Sequence, residues 1–300
     1  TGAGILQYIG PGETSDRKIR LNTTTGTTQI HADGAGALVL SNVANDMVAG
    51  AKTLSLRGTN SAGNMITSQL SDNGGALAVT VDGGATWILT NPSNNYTGVT
   101  TVGAGALGIG DNAALGTGTL QLGAGSFFAY GADRTIANAV QFSSATSVGF
   151  IGDYSVAFSS PLVQQQNSPP AAVLSNNVAS GKSLTFSGVT ANSLTANRTW
   201  SIDGSGETVI NGNFTTSTAF GLVISKTGNG TLNLGGSSSN NFNQAGANID
   251  VDRGTLKLTA NSVISSAPGA GEVNLRPVLP TSLTAKLDLN GATQGINALS

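Results

Sequence analysis

The side chains in this sequence that could do chemistry are few, and most of them are carboxylates. Asp250 and Asp252 lie two apart, so a strand would send both from the same face. Asp203 and Glu207 would share a side if the turn between them allows it. Paired acids of this kind cleave glycosides only when they converge on one cleft. We read each pair instead as lying on the solvent face of a strand. His31 is the sole histidine and cysteine is absent. A Ser-His-Asp arrangement would therefore have to use His31, and a thiolate nucleophile, thiolate metal site or disulfide is excluded. His31 sits in the alternating stretch Thr28-Gln-Ile-His-Ala, with no nucleophile signature around it. Zinc takes three or four protein ligands, which carboxylates alone seldom supply. No catalytic, cofactor-binding or metal-binding residue is assigned, and no cofactor is expected.

Three further patterns reduce to structure. Gly103-Ala-Gly-Ala-Leu-Gly108 has the letters of a dinucleotide loop but lacks the helix that must follow. Val81-Asp-Gly-Gly-Ala is a turn rather than a calcium-binding nonapeptide. Arg17, Lys18 and Arg20 are flanked by Glu13 and Asp16 and read as a solvated strand face, not a binding patch. Tyr96 and Phe242 have the chemistry to stack on sugars, but their recurring position reads as stacked core or corner.

The elements that must position these residues are short strands. Trp87 and Leu89, Val99 and Val102, Leu107 and Ile109, then Leu120 and Leu122 form apolar pairs, mostly at the strand period of two. Asn-Pro, Ser-Asn-Asn, Gly-Ala-Gly and Gly-Thr-Gly separate them, all turn chemistry. Similar pieces recur from Ile5 to Leu289, and no segment of a dozen residues carries helical periodicity. The prolines of 159–170 and 267–281 mark two loop excursions, since proline cannot donate to a central ladder.

The pattern also repeats. Asn94-Asn95-Tyr96 matches Asn240-Asn241-Phe242, Val102 matches Val251, and Leu107 with Ile109 matches Leu256 with Leu258. Leu120 and Leu122 then match Val273 and Leu275. A sandwich or barrel does not ordinarily repeat its own strands, whereas a solenoid stacks like on like. The expected fold is therefore all-β: a parallel β-helix (β-solenoid), an elongated rod of about 20–25 residues per coil, with asparagines laddered at its corners. Residues 1–300 are expected to form a single continuous segment, excised from a longer repeat protein because both ends stop inside the pattern.

Composition agrees. Hydrophobic residues make up 39% of the chain, enough to fill a core. Charged residues are only 9% and the net charge is −2, which argues against a nucleic-acid or anionic-membrane partner, since either would need clustered Lys and Arg. Glycine, at 42 of 300 residues, falls between apolar pairs with no collagen period. No apolar run is long enough to span a membrane as a helix.

Residues 84–122 carry a specific resemblance. Gly84-Ala-Thr-Trp-Ile-Leu, Asn94-Asn-Tyr-Thr-Gly-Val-Thr-Thr-Val, Gly105-Ala-Leu-Gly-Ile and Leu115-Gly-Thr-Gly-Thr-Leu resemble the autotransporter-associated β-strand repeat. Residues 226–258 resemble a second copy, opening on Lys226-Thr-Gly-Asn-Gly-Thr-Leu-Asn-Leu and departing at Asn243-Gln-Ala. The resemblance implies a β-helical passenger of a type V secreted protein, displayed or shed outside a Gram-negative cell. It supplies no catalytic residues. The expected role is a non-enzymatic structural or adhesive segment, with neighbouring copies, adjoining repeats, glycans or cell surfaces as partners. The alternatives are a repeat unit of a self-assembling extracellular fibre and a carbohydrate-active or carbohydrate-binding β-helix. Against enzymatic activity, the Asp-Asp and Gly-His-Gly of pectin-degrading hydrolases are missing.

Overall fold

The structure is a computed structural model that describes residues 4–23, 25–142, 147–165, 172–192, 198–216, 222–236, 248–261, 264, 272–276 and 284–292. The chain divides into two compact units, Thr1–Ala139 and Val140–Ser300. Among the described residues every regular element is a strand, and each pairing between them is parallel. The fold is a β-solenoid.

In the first unit two sheets alternate along the chain. One runs Gly4–Tyr8, Gly26–Ala32, Lys52–Gly58, Leu77–Val81, Thr100–Val102 and Leu120–Leu122. The other runs Glu13–Ser15, Leu38–Leu40, Asn64–Ile66, Thr86–Leu89, Ala106–Ile109 and Ser126–Ala129. A short third side pairs Ile19–Arg20 with Val43–Ala44. In the second unit the third side is full length, from Val156–Phe158 through Ser183–Phe186, Glu207–Ile210, Thr231–Leu234 and Gly254–Leu258 to Ala285–Asp288.

The spacing between stacked residues varies with the number of sides. Thr86 stands on Ala106, twenty residues on, where the coil has two strands. Ala172 stands on Trp200 and Gly254 on Ala285, longer steps than the expected 20–25 residues. The strands stay in register because their ladders must close, so extra length goes into corners, where nothing below dictates it.

The sequence repeat is one coil. Thr100–Val102 turns into Ala106–Ile109, and Leu120–Leu122 then returns to lie on Thr100–Val102. Asn248–Val251 turns into Gly254–Leu258, and Glu272–Leu275 returns onto Asn248–Val251 in the same way. Both corners use a glycine in left-handed backbone, Gly105 at φ 71° and Gly254 at φ 77°. A Cβ at Gly105 would lie 2.5 Å from the Ala85 carbonyl oxygen, and one at Gly254 would lie 2.4 Å from that of Gly230. The corner thus requires glycine twice over, for its dihedrals and for the close approach of the coil beneath. The Asn240-Asn241-Phe242 part of the match lies outside the described residues.

Three expectations are corrected. Residues 159–170 are not all loop: Leu162–Gln165 is a strand paired between Val140–Phe142 and Val189–Asn192. Pro161 sits just before that strand, where its missing N–H costs no ladder bond. The span 267–281 likewise contains the strand Glu272–Leu275. Residues 166–171, 267–271 and 277–281 lie outside the described residues. Val99 does not join Val102 in the core, because three residues cannot separate two side chains on one face. It is 38% exposed, and Thr100 is buried in its place. The Thr100 hydroxyl is satisfied by the buried Tyr96 hydroxyl at 2.7 Å.

Inside, apolar side chains form columns. Leu56, Val81 and Val102 are buried along one sheet, and Trp87, Leu107 and Phe127 along the other. Each such side chain is worth about 1.5–3 kcal/mol of burial. In the second unit Phe158 stacks flat on Phe186, rings 5.1 Å apart, and Phe150 meets both edge-on.

Among the described residues the buried asparagines do not stack amide on amide from coil to coil. Each bonds to the backbone of an adjoining coil instead, and Asn60 also donates to Asn64 Oδ1 at 3.4 Å. Asn64 accepts from Leu38 N–H and donates to the Thr86 carbonyl, at 2.9 Å each. Asn94 accepts from Leu70 N–H at 2.8 Å and donates to the Ala114 carbonyl at 2.7 Å. At corners the strand ladder lapses, and a side-chain amide carries the missing donor and acceptor. Asn94→Ala leaves both backbone groups unpaired and is expected to cost about 2–4 kcal/mol of stability. Thr101→Ala on the outer face is expected to change it by less than about 0.5 kcal/mol. Unfolding followed by circular dichroism measures both.

Candidate functional site

The sequence candidates are scattered by the fold. His31 points outward from Gly26–Ala32, half-buried, with Nε2 at 2.8 Å from Gln29 Oε1. Its ladder neighbours are Gln7 and Arg57, neither a nucleophile. Lys18 and Arg20 do not stand free as a basic patch. Both pair with Asp46 of the next coil, Arg20 Nε at 3.4 Å from Asp46 Oδ1. Tyr96 lies in the core, where burial raises its phenol pKa against the opposing hydrogen bond with Thr100. Phe242 lies outside the described residues.

Of the carboxylate pairs, Asp203 and Glu207 are both exposed, at the ends of strands in different sheets. Asp250 and Asp252 do share a face, but Asp250 is not on open solvent. Arg276, one coil on, reaches Asp250 Oδ2 at 2.7 Å and Asp252 Oδ1 at 3.3 Å. Asn248 and Asn274 each donate to Asp250 Oδ1, at 2.6 and 2.7 Å. Arg276 itself stays half exposed and covers the pair like a clip. Acids held this way strap two coils together. Among the described residues, no group of three or more His, Asp or Glu side chains could hold a metal ion.

Two features escaped sequence reading. Lys226 ends the strand Leu222–Lys226 with its side chain turned inward, fully buried, its ammonium donating to the Gly228 carbonyl. Burial lowers its pKa to about 8, with Asp203 opposing the shift and Arg253 adding to it. The signal lay in the alternation Ile224-Ser-Lys226, which places the lysine on the apolar face. The second feature is an outer row of the first unit. Val39, Met65, Ile88, Gly108 and Phe128 stand on one another across five successive strands, on the side opposite the core columns; Val39, Met65 and Phe128 are half-buried, and Ile88 and Gly108 are covered by their neighbours. Beside it, in the same unit, a groove of about 410 Å³ follows the corner after Ala106–Ile109, lined by uncharged residues including Asn112, Thr117, Thr135 and Asn138.

Comparison with known proteins gives one matching stretch. An alignment over 116 residues, covering 37% of this chain, is 33% identical to the adhesin BmaC autotransporter of Brucella suis biovar 1 (strain 1330). The chain spans about 3% of that protein's length. The similarity and the solenoid together fit the β-helix of an autotransporter passenger. No family model matches. No solved structure matches either.

Lys226 gives a test. Below about pH 8 it is charged in both folded and unfolded chain, and the folded state bears the full cost of burying the charge. Between about 8 and the ordinary lysine value of 10.5, the folded side chain is neutral while the unfolded one still binds a proton. Stability should therefore rise with pH across that window. Lys226→Met should remove the rise, as read by denaturant titrations at pH 7.5, 9 and 10.5.

Proposed function

We propose that this chain is an adhesive, non-enzymatic segment of an autotransporter-like passenger, carried on the surface of a Gram-negative bacterium. The observation that carries the reading is the similarity to the adhesin over 116 residues, on a chain whose fold is the stacked coil. The chemistry is consistent with it. The most suggestive acids, Asp250 and Asp252, are committed to Arg276, and the interior is closed by columns of side chains. A stack of this kind holds its outer faces at fixed spacing, which is what a multivalent attachment surface needs.

The test is an in-frame deletion of whole coils within the parent protein, from Asn64 to Val102, with surface display checked by antibody. Attachment of bacteria to host cells should fall several-fold at equal display. Equal attachment at equal display would remove the reading.

A further inference from the structure

The outer apolar row of the first unit is unusual for a surface that is otherwise hydroxyl-rich. In the second unit the corresponding row is polar except at Val173: Ser147, Val173, Ser201, Ser225, Asp250 and Asn274 stand on one another. In the first unit the row is Val39, Met65, Ile88, Gly108 and Phe128. One step along the strands lies a second outer row of Ser41, Thr67, Thr90, Gly110 and Tyr130, held by bonds such as Thr67 N–H to Leu40 O and Tyr130 N–H to Ile109 O. On the other side are Thr86, Ala106 and Ser126.

The glycines in these rows are there for space rather than for backbone freedom. A Cβ at Gly108 would lie 2.5 Å from Phe128 Cζ and 3.1 Å from Ile88 Cγ1. The Phe128 ring therefore lies over Gly108 towards Ile88, flat along the sheet instead of standing off it. Tyr130, two residues on and 40% exposed, projects from the same face. A Cβ at Gly110 would meet Thr90 Cγ2 at 2.9 Å, so that row too is kept low in front of the tyrosine. The result is a level strip with two aromatic rings and a border of hydroxyls.

We propose that this strip binds an extended, uncharged polysaccharide, its pyranose rings resting on Phe128 and Tyr130. Three observations select that occupant. First, the chain has 13 basic and 15 acidic residues, yet none occupies the three rows, and Arg134, at the edge of the strip, has its Nη2 donating to the Tyr130 carbonyl at 2.8 Å. Second, five strands at about 4.8 Å and three rows at about 7 Å apart bound the strip at about 300 Å², with Ile88 and Gly108 covered inside it, well under the roughly 800 Å² per partner of a stable protein interface. A linear chain fits where a second copy or a globular partner would not. Third, the pairing of aromatic rings with flanking hydroxyls suits a sugar, whose C–H face meets an aromatic ring while its edge hydroxyls need partners; Ser41, Thr67 and Thr90 donate to the Ser15, Leu40 and Ile66 carbonyls and would meet the sugar as acceptors. The inference rests on the adhesive reading and supplies its ligand class.

The test uses the whole chain in affinity electrophoresis against neutral glucans, xylans, mannans and galactans, with alginate and hyaluronate as anionic comparators. Retardation by at least one neutral polymer is expected, unchanged in 0.5 M salt because no ion pair is involved. Tyr130→Ala and Phe128→Ala should each weaken it at least ten-fold, while Gln121→Ala on the other sheet should leave it intact. Should Phe128→Ala lose its fold by circular dichroism, Phe128→Leu with Tyr130→Ala replaces it. No retardation by any neutral polymer, retardation indifferent to both ring variants, or binding only to anionic polymers would overturn the proposal. If coil deletion still abolishes cell attachment while polysaccharide binding fails, the glycan inference falls and the adhesive reading stands.

Discussion

Every feature of this chain answers to the requirement that a strand sit in parallel register on its counterpart one coil earlier. A backbone N–H or C=O in the stack has no partner within its own coil, so the next coil must supply one. The bonds from Thr86 N–H to Asn60 O and from Ser126 N–H to Gly105 O are of this kind. Register in turn forces like side chains into columns, and a column is stable only when each member fits the one beneath. That is why Leu107 stands on Trp87 and carries Phe127, all three fully buried.

The corners are where this requirement is hardest to meet, and the chain meets it with two residue types. Glycines such as Gly105 and Gly254 let one backbone pass within about a Cβ radius of another. Asparagines such as Asn64 and Asn94 lend their amides where the strand ladder stops. Asp72 does the same with a carboxylate, accepting from Leu77 N–H and from the Thr97 N–H and hydroxyl. Burial works to raise its pKa, but those donors outweigh it and hold the carboxyl below its ordinary value. Because the corners carry their own bonds, they absorb changes in coil length without disturbing the sides.

An interior built of columns leaves the outer faces as the place for recognition. There a substitution is not constrained by the coil below in the way an inward residue is, so the two units can differ. The first carries the Val39 to Phe128 row, and the second carries Asp250 and its asparagines under Arg276. Similar scaffolds therefore present an apolar strip in one case and an ionic strap in the other.

The all-β class, the solenoid and the one-coil repeat were legible in the residues, since inward positions recur at a period of two and whole coils recur with their corner glycines. Gly105 with Leu107 and Gly254 with Leu256 carry that information in local order alone. What the sequence could not determine was which distant residues meet, because that depends on the number of residues each corner consumes. Twenty residues bring Ala106 onto Thr86, whereas twenty-four bring Asn274 onto Asp250 and Arg276 within reach of both acids. The outer row was hidden for the same reason. Val39, Met65, Ile88, Gly108 and Phe128 are unremarkable apart, each a single residue between two core positions, and only the vertical register sets them side by side.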